Sequence, residues 1–142
     1  MNNAEVRCAV VEDQEQVDKF LEIRDRCPAL SNIYFDDPRG LRKYSEEGLA
    51  SFDTLLDTGK AFTAKNPDWF RTDALKSPPA DVAAMFFTSG TTGNPKGVVH
   101  THNSLLDRAL AGAEFDKLTN SEEALAYLPP AWIGQNIFSY AQ

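Results

Sequence analysis

A ten-residue loop of glycine and hydroxyl side chains is the part of this sequence best suited to chemistry. It runs from Thr88 to Gly97 and reads TSGTTGNPKG. Glycines permit tight turns and let a ligand approach the backbone closely, and hydroxyl groups donate hydrogen bonds to phosphate oxygens. Lys96 adds a positive charge on a flexible stem. We therefore interpret the loop as a cradle for a polyphosphate.

Two other phosphate-binding patterns do not match this loop. The P-loop requires a glycine, four residues and then Gly-Lys before Ser or Thr, whereas Gly90 is followed by Thr-Thr-Gly-Asn and then Pro-Lys. The dinucleotide fingerprint needs glycines spaced two and three apart, but Gly90, Gly93 and Gly97 are three and four apart. The remaining alternative is a flexible linker, and the position of the loop between two β-rich segments argues against it.

The segments on either side of the loop predict the elements that present it. Val82–Phe87 is apolar without polar alternation, which indicates a strand buried on both faces, and ligands bind at the ends of such strands in open α/β sheets. We predict a short strand at Val98–His100 and another at Ala124–Leu128, where two prolines end it. Between them Thr101 can cap a helix. The apolar face of this helix contains Leu105, Leu106, Ala109, Leu110 and Ala113.

The N-terminal half predicts a strand–helix–strand unit. Glu5–Val11 and Ser31–Phe35 are β-rich, and Asp13 can cap a helix between them, with Gln16 as its capping-box partner. A unit of this kind within about 30 residues implies a parallel sheet.

Residues 49–76 are predicted to be helical. A new helix is expected to begin with Pro67 at its first position, where the missing N–H does no harm. We expect Trp69, Phe70 and Leu75 to face inward.

Composition excludes several classes of protein. The chain has 142 residues, of which 42% are hydrophobic, and carries a net charge of −7, which disfavours nucleic-acid binding. Cys8 and Cys27 are too few for a disulfide scaffold and indicate reduced thiols in a cytoplasmic protein. The N-terminus has no apolar stretch typical of a signal peptide.

The last 19 residues carry no charge, yet prolines and polar residues interrupt them, so they predict core rather than a membrane span. Because this apolar segment has no partner in the chain, we expect the sequence to be a piece of a longer protein.

Two motifs together resemble a known superfamily. Thr88–Gly97, continued by VVHTHN, resembles the signature phosphate loop of the adenylate-forming enzymes, which include acyl-CoA synthetases, luciferases and peptide-synthetase adenylation domains. Residues 127–142 resemble the next family motif, in a form similar to bacterial long-chain fatty acyl-CoA synthetases. Many relatives have histidine in place of Trp132. The resemblance implies part of a multilayer α/β/α N-terminal domain, with residues 1–76 as its βαβ and helical part, residues 77–142 as its phosphate-loop part, and no C-terminal domain.

The resemblance also implies a reaction. A fatty carboxylate attacks the α-phosphate of Mg-ATP to give an acyl-adenylate and pyrophosphate, and coenzyme A then displaces AMP. Lys96 would neutralise the departing pyrophosphate, Thr91 would also contact the Mg²⁺ that accompanies ATP, and Trp132 and Gly134 would line an acyl tunnel. The residues expected to hold the phosphates are Thr88, Ser89, Gly90, Thr91, Thr92 and Gly93.

Other functions stay open at this point. The Tyr-Gly-x-Thr-Glu segment of the adenylate-forming enzymes, which the resemblance leads us to look for, is absent from this chain. We therefore expect the chain to be inactive without the rest of its own protein. The rivals are a ligase for acetate, an aryl acid or an amino acid, and a non-catalytic phosphate-binding module. The expected partners are fatty acid, ATP and coenzyme A, and no nucleic acid is expected. The expected compartment is the cytoplasm, and a peripheral contact with the inner face of the membrane stays open. His100 and His102 could form a metal pair, but a role in shaping the site or in packing is favoured because no third ligand is nearby.

Overall fold

The computed structural model describes residues 1–88, 93–123 and 125–137. The chain divides into two units, Met1–Leu75 and Lys76–Gln142, and each is described by itself. The architecture is mixed helix and strand with a parallel three-stranded sheet, which confirms the predicted α/β class. None of the helices among the described residues combines the length and the apolar character needed to cross a membrane.

A parallel sheet in the order β1-β2-β3 forms the centre of the N-terminal unit. Its strands are β1 (Cys8–Val11), β2 (Asn32–Phe35) and β3 (Leu49–Ser51), and helix α1 (Gln14–Ile23) connects the first two. The carboxylate of Asp13 accepts a hydrogen bond from the backbone N–H of Gln16 at 3.2 Å, so it caps α1 as predicted. The strand–helix–strand unit is therefore confirmed.

The hydrophobic core of this unit lies where α1 and the following loops cover the sheet. Val17 on α1 and Ile33 on β2 are fully buried. The buried cluster comprises Ala9, Val11, Val17, Cys27, Leu30, Ile33 and Leu41. Short 3₁₀ helices at Asn2–Ala4, Arg24–Arg26 and Leu41–Lys43 complete the unit.

The second half of the N-terminal unit corrects the prediction that residues 49–76 are helical throughout. A strand, β3, occupies residues 49–51 where a helix was expected, because Leu49–Ser51 pairs with Ile33–Phe35 of β2. Helix α2 (Phe52–Lys65) begins only after Ser51, whose hydroxyl caps it, and helix α3 spans Trp69–Ala74.

Helix α3 also differs from its prediction. Asp68 is its N-cap, so the proline two residues before Trp69 lies in the preceding turn rather than at the first helical position. Trp69, Phe70 and Leu75 are exposed instead of buried. In place of core contacts, the Trp69 ring packs edge-on against Phe62 with centroids 5.1 Å apart.

The described residues of the C-terminal unit form an antiparallel hairpin and two helices. Strand β4 (Val82–Thr88) pairs with β5 (Lys96–Thr101), helix α4 (His102–Asp116) follows directly, and α5 (Ile133–Asn136) is a single turn. Thr101 caps α4 through a reciprocal pair of hydrogen bonds with Ser104, as predicted for its role.

Two predictions for this unit are wrong. Strand β4 is largely exposed rather than buried on both faces, because among the described residues β5 is its one neighbouring strand. Residues 125–128 form no strand, and the N–H of Leu128 bonds to a side chain rather than to a strand partner.

Candidate functional site

The strands on either side of the predicted phosphate loop, β4 and β5, pair with each other as an antiparallel hairpin. Thr88 is the last residue of β4 and lies directly opposite Lys96, the first residue of β5. The Thr88 hydroxyl donates to the Lys96 carbonyl at 3.5 Å. Because opposite residues of an antiparallel pair project from the same face, Thr88 and Lys96 share one face of the hairpin. The Lys96 side chain is exposed and can reach a ligand there.

Gly93 and Gly97 in the loop are each required to be glycine for a different structural reason. Gly93 has φ of 143°, which disfavours any side chain, and the space beside its Cα is open. At Gly97 a Cβ would lie 2.8 Å from the Met85 sulfur and 3.2 Å from a ring carbon of Phe87. Gly97 therefore lets side chains of β4 cross over β5. The predicted ligands Ser89, Gly90, Thr91 and Thr92 lie outside the described residues.

An open, mostly apolar cavity of about 430 Å³ lies beside the Thr88 end of the loop. Its wall joins the hairpin to the segment around α5. The lining residues are Phe86, Phe87, Thr88, Val98, His100, Ala131, Trp132, Ile133 and Gly134. The structure thus brings together Thr88, Trp132 and Gly134, three residues named from the sequence.

Phe86 and Val98, on the hairpin side of the cavity, were not named as site residues from the sequence. Phe86 lies opposite Val98, and Ala84 lies opposite His100, so these residues share the face that also carries Thr88 and Lys96. Period-two spacing along each strand was the available signal. The register between the strands, which the spacing alone does not give, decides which residues meet.

His100 and His102 have separate environments. The His100 ring packs against Phe86 with centroids 5.8 Å apart at an interplanar angle of 68° and lines the cavity. His102 is the first residue of α4, and its backbone N–H donates to the carbonyl of Asp81 at 3.1 Å. Among the described residues, no three His, Cys, Asp or Glu side chains are grouped so that they could hold a metal ion.

A family model described as AMP-binding enzyme matches residues 1–141. The chain belongs to the AMP-binding enzyme family. This confirms the predicted membership in the adenylate-forming superfamily, the group of ligases to which the phosphate-loop motif pointed.

The relatives of this family member include fatty acid ligases. A long-chain-fatty-acid–CoA ligase of Xenopus laevis is 31% identical over 134 residues, which cover 89% of this chain and 17% of that protein. The peroxisomal long chain acyl-CoA synthetase 6 of Arabidopsis thaliana is 41% identical over 86 residues, covering 60% of this chain and 11% of the relative. The chain therefore spans less than a fifth of the length of these two relatives.

The fold is similar to that of a solved adenylate-forming ligase. The anthranilate CoA ligase AuaEII, in complex with anthranoyl-AMP, matches with a TM-score of 0.52 and 26% identity over 77% of this chain and 18% of that chain. The α/β architecture described above is therefore that of part of an adenylate-forming enzyme.

Proposed function

We propose that this chain is part of the large N-terminal domain of an AMP-forming long-chain fatty acid–CoA ligase, with residues 77–142 as its phosphate-loop part. The observation that carries the proposal is the shared face of the β4–β5 hairpin. On that face Thr88 lies opposite Lys96, near the two ends of the loop, and Thr88 lines an apolar cavity. A polyphosphate on the loop would thus lie beside a surface suited to an apolar acid. The fatty acid ligases among the relatives support the substrate class.

In the proposed reaction the chain positions ATP and the acid and stabilises charge. The fatty carboxylate attacks the α-phosphate, which forms the acyl-adenylate and breaks the bond to pyrophosphate. Lys96 would neutralise the negative charge that develops on the departing pyrophosphate. The thiol of coenzyme A then attacks the acyl carbonyl, forms the thioester and releases AMP.

The remaining loop residues would bind the phosphates before this step. Thr88 would donate its hydroxyl, and Gly93 would allow the phosphates to approach the backbone because the space beside it is open. The same role is proposed for Ser89, Gly90, Thr91 and Thr92. Trp132 and Gly134, which line the cavity, would contact the acyl chain.

Magnesium would enter this site bound to the ATP phosphates. The described residues contain no cluster of metal-ligating side chains, and Thr91, the residue proposed to contact Mg²⁺, lies outside them. When bound, the ion would supply charge neutralisation at the phosphates. We further propose the cytoplasm as the compartment, because Cys8 and Cys27 are both free thiols.

An aryl acid ligase is the second candidate. The solved structural neighbour is an anthranilate CoA ligase, and the aromatic side chains Phe86 and Trp132 in the cavity wall could stack on an aromatic ring. The fatty acid is favoured because a long-chain-fatty-acid–CoA ligase aligns with 89% of this chain.

Pyrophosphate release tests the choice between these substrates. The intact ligase containing this segment would be assayed with acetate, octanoate, palmitate and benzoate. We expect kcat/KM for palmitate to exceed that for acetate by about 100-fold, because additional buried methylenes strengthen transition-state binding. An inert palmitate together with a reactive benzoate would establish the aryl acid ligase. ATP binding without pyrophosphate release for any acid would establish a non-catalytic module.

A second assay tests the role of the segment itself. We expect the isolated 142-residue chain to form no thioester from ATP, oleate and coenzyme A. Thioester formation by this chain would contradict the proposal that it is only part of the catalytic domain.

A further inference from the structure

The segment that carries Trp132 follows two prolines that cannot donate backbone hydrogen bonds. Pro129 and Pro130 lack an N–H, so the N–H of Leu128 is the last backbone donor before them. It bonds to the side-chain oxygen Oε1 of Gln135 at 3.1 Å. Gln135 is only 4% exposed, and a buried glutamine in such a position is costly unless it is hydrogen-bonded.

Asn136, the next residue, reaches back to the same turn. Its amide nitrogen Nδ2 donates to the carbonyl of Pro130 at 3.0 Å and to the carbonyl of Trp132 at 3.1 Å. The backbone adds two bonds, from the Trp132 N–H to the Pro129 carbonyl at 2.9 Å and from the Gln135 N–H to the Trp132 carbonyl at 3.1 Å. The Asn136 amide thus bonds the backbone on both sides of Ala131.

Trp132 cannot stabilise its own position through its side chain. It is the N-cap of α5, but an indole cannot accept a hydrogen bond from the helix backbone, and no side-chain cap is present. Its side chain lines the cavity yet remains 61% exposed. The direction of the indole therefore depends on the backbone turn that Gln135 and Asn136 hold.

We propose that Gln135 and Asn136 are positioning residues that hold Trp132 as a wall of the cavity. They do not contact the substrate in this role; they set the backbone from which the indole projects. The consequence for the acyl substrate rests on the proposed function, because the ligase would then bind its acid against a wall whose position these two amides determine.

Nuclear magnetic resonance relaxation of the 142-residue chain tests the wall without any substrate. We expect the Trp132 backbone amide to have an order parameter of about 0.85 in the wild type and below about 0.6 in Gln135→Met. This substitution keeps the size of the side chain but removes the oxygen that accepts the hydrogen bond from the Leu128 N–H. Asn136→Ala should lower the order parameter in the same direction. Gln16→Met, the same exchange on α1 in the N-terminal unit, is the matched control and should leave Trp132 unchanged.

Either variant alone keeps this test decisive. If Gln135→Met fails to fold, Asn136→Ala, at a half-buried residue that contributes only donors, gives the answer. A mobile Trp132 amide in the wild type, or an unchanged order parameter in every folded variant, overturns the proposal.

Steady-state kinetics of the intact ligase test the consequence for the substrate. We expect Asn136→Ala to raise KM for the fatty acid about tenfold, as the loss of about 1.4 kcal/mol would do, while KM for ATP stays within about twofold. Equal effects on both KM values would indicate a merely structural role and would contradict the proposal. If the wild type activates no acid, the proposed function fails, and the relaxation result still decides whether the two amides hold Trp132.

Discussion

The two units of the chain differ in how much apolar surface they bury. The N-terminal unit has a cluster of seven buried residues around its parallel sheet. In the described part of the C-terminal unit only Ala109 and Gln135 are buried, while Leu110 and Phe115 on α4 are 68% and 86% exposed. Hydrophobic burial is the main stabilising term in folding, so the N-terminal unit has the stronger basis for stability.

The C-terminal unit instead exposes the groups that can contact a ligand. Its hairpin carries Thr88 and Lys96 on one face, and Thr88 lines the apolar cavity. Functional segments often have few buried contacts because they must remain accessible or move. The comparison implies that substitutions in the C-terminal unit should alter activity, whereas substitutions in the core of the N-terminal unit should alter stability.

The largest expected effect is that of Lys96→Ala in the intact ligase. We expect kcat for pyrophosphate release to fall about 10²–10³-fold, because the proposed mechanism has Lys96 as the charged donor to the developing negative charge. The unfolding free energy should hardly change, since the Lys96 side chain is exposed. Enzyme assays combined with thermal unfolding measure both quantities.

A matched lysine in the other unit provides the control. Lys60 on α2 is exposed and pairs with Asp57 at 3.0 Å, a surface ion pair of small energetic value. Lys60→Ala should leave kcat within about twofold of the wild type. If Lys96→Ala were equally harmless, the assignment of the chemistry to the hairpin would be wrong.

The next effect compares the same substitution in one strand of each unit. Val11→Ala in β1 removes a buried side chain and should cost about 2–3 kcal/mol of unfolding free energy. Val99→Ala in β5 alters a side chain that is 51% exposed and should cost less than about 1 kcal/mol. Amide hydrogen exchange in each unit reports the two values separately. Equal losses would remove the distinction between the units.

A smaller effect concerns the helix caps. The Thr101 hydroxyl accepts from the Ser104 N–H at 3.1 Å, and the Ser104 hydroxyl accepts from the Thr101 N–H at 3.0 Å. Thr101→Ala should therefore destabilise α4 by about 1–2 kcal/mol. Ser51→Ala at the N-cap of α2 removes the bond from the Thr54 N–H at 3.2 Å and the exposed contact with the Thr54 hydroxyl at 2.9 Å, and should cost about 0.5–1 kcal/mol.

Hydrogen exchange in the two helices measures this difference between caps. A larger loss for Ser51→Ala than for Thr101→Ala would show that the reciprocal pair adds nothing to α4. The N-terminal unit would then have the more stabilising helix cap as well as the more stabilising core.

Local signals predicted the elements whose hydrogen bonds are local. The Asp13 and Thr101 caps were correct because each bonds a backbone N–H three residues ahead. Strand β3 was missed because its partners are distant in sequence: Leu49 pairs with Ile33, and the Ile33 N–H donates to the Gly48 carbonyl at 2.8 Å. Nothing within residues 49–51 distinguishes such a strand from the start of a helix.

For the candidate site, too, the sequence predicted the local features and missed those that depend on strand pairing. Residue types alone pointed to the loop and to Lys96, but they assigned Lys96 to the loop, whereas it begins β5. The positions of Phe86 and Val98 in the cavity wall depend on the hairpin register. The expected burial of β4 failed because an apolar run indicates what can be buried and does not supply the neighbouring strands.

The smallest effect depends on pH and on a polar contact of the N-terminal unit. The Tyr44 hydroxyl donates to Asp18 at 2.6 Å and accepts from the Gln14 amide at 2.9 Å. The bond to Asp18 raises the pKa of Tyr44 above its ordinary value of 10.0. The folded state therefore favours the protonated phenol, so this stabilisation is complete below the unfolded pKa and is lost as pH rises through the folded pKa.

The melting temperatures of the wild type and Tyr44→Phe test this sign. The wild type should be the more stable protein at pH 7, and the difference should shrink as pH rises from about 10 toward 12 because the tyrosinate can no longer donate to Asp18. Tyr127→Phe, at an exposed ring in the C-terminal unit, is the matched control. A difference that stays constant over this range would mean that loss of the phenol proton does not weaken the contact with Asp18, and the pH-dependent stabilisation assigned to this bond would be wrong.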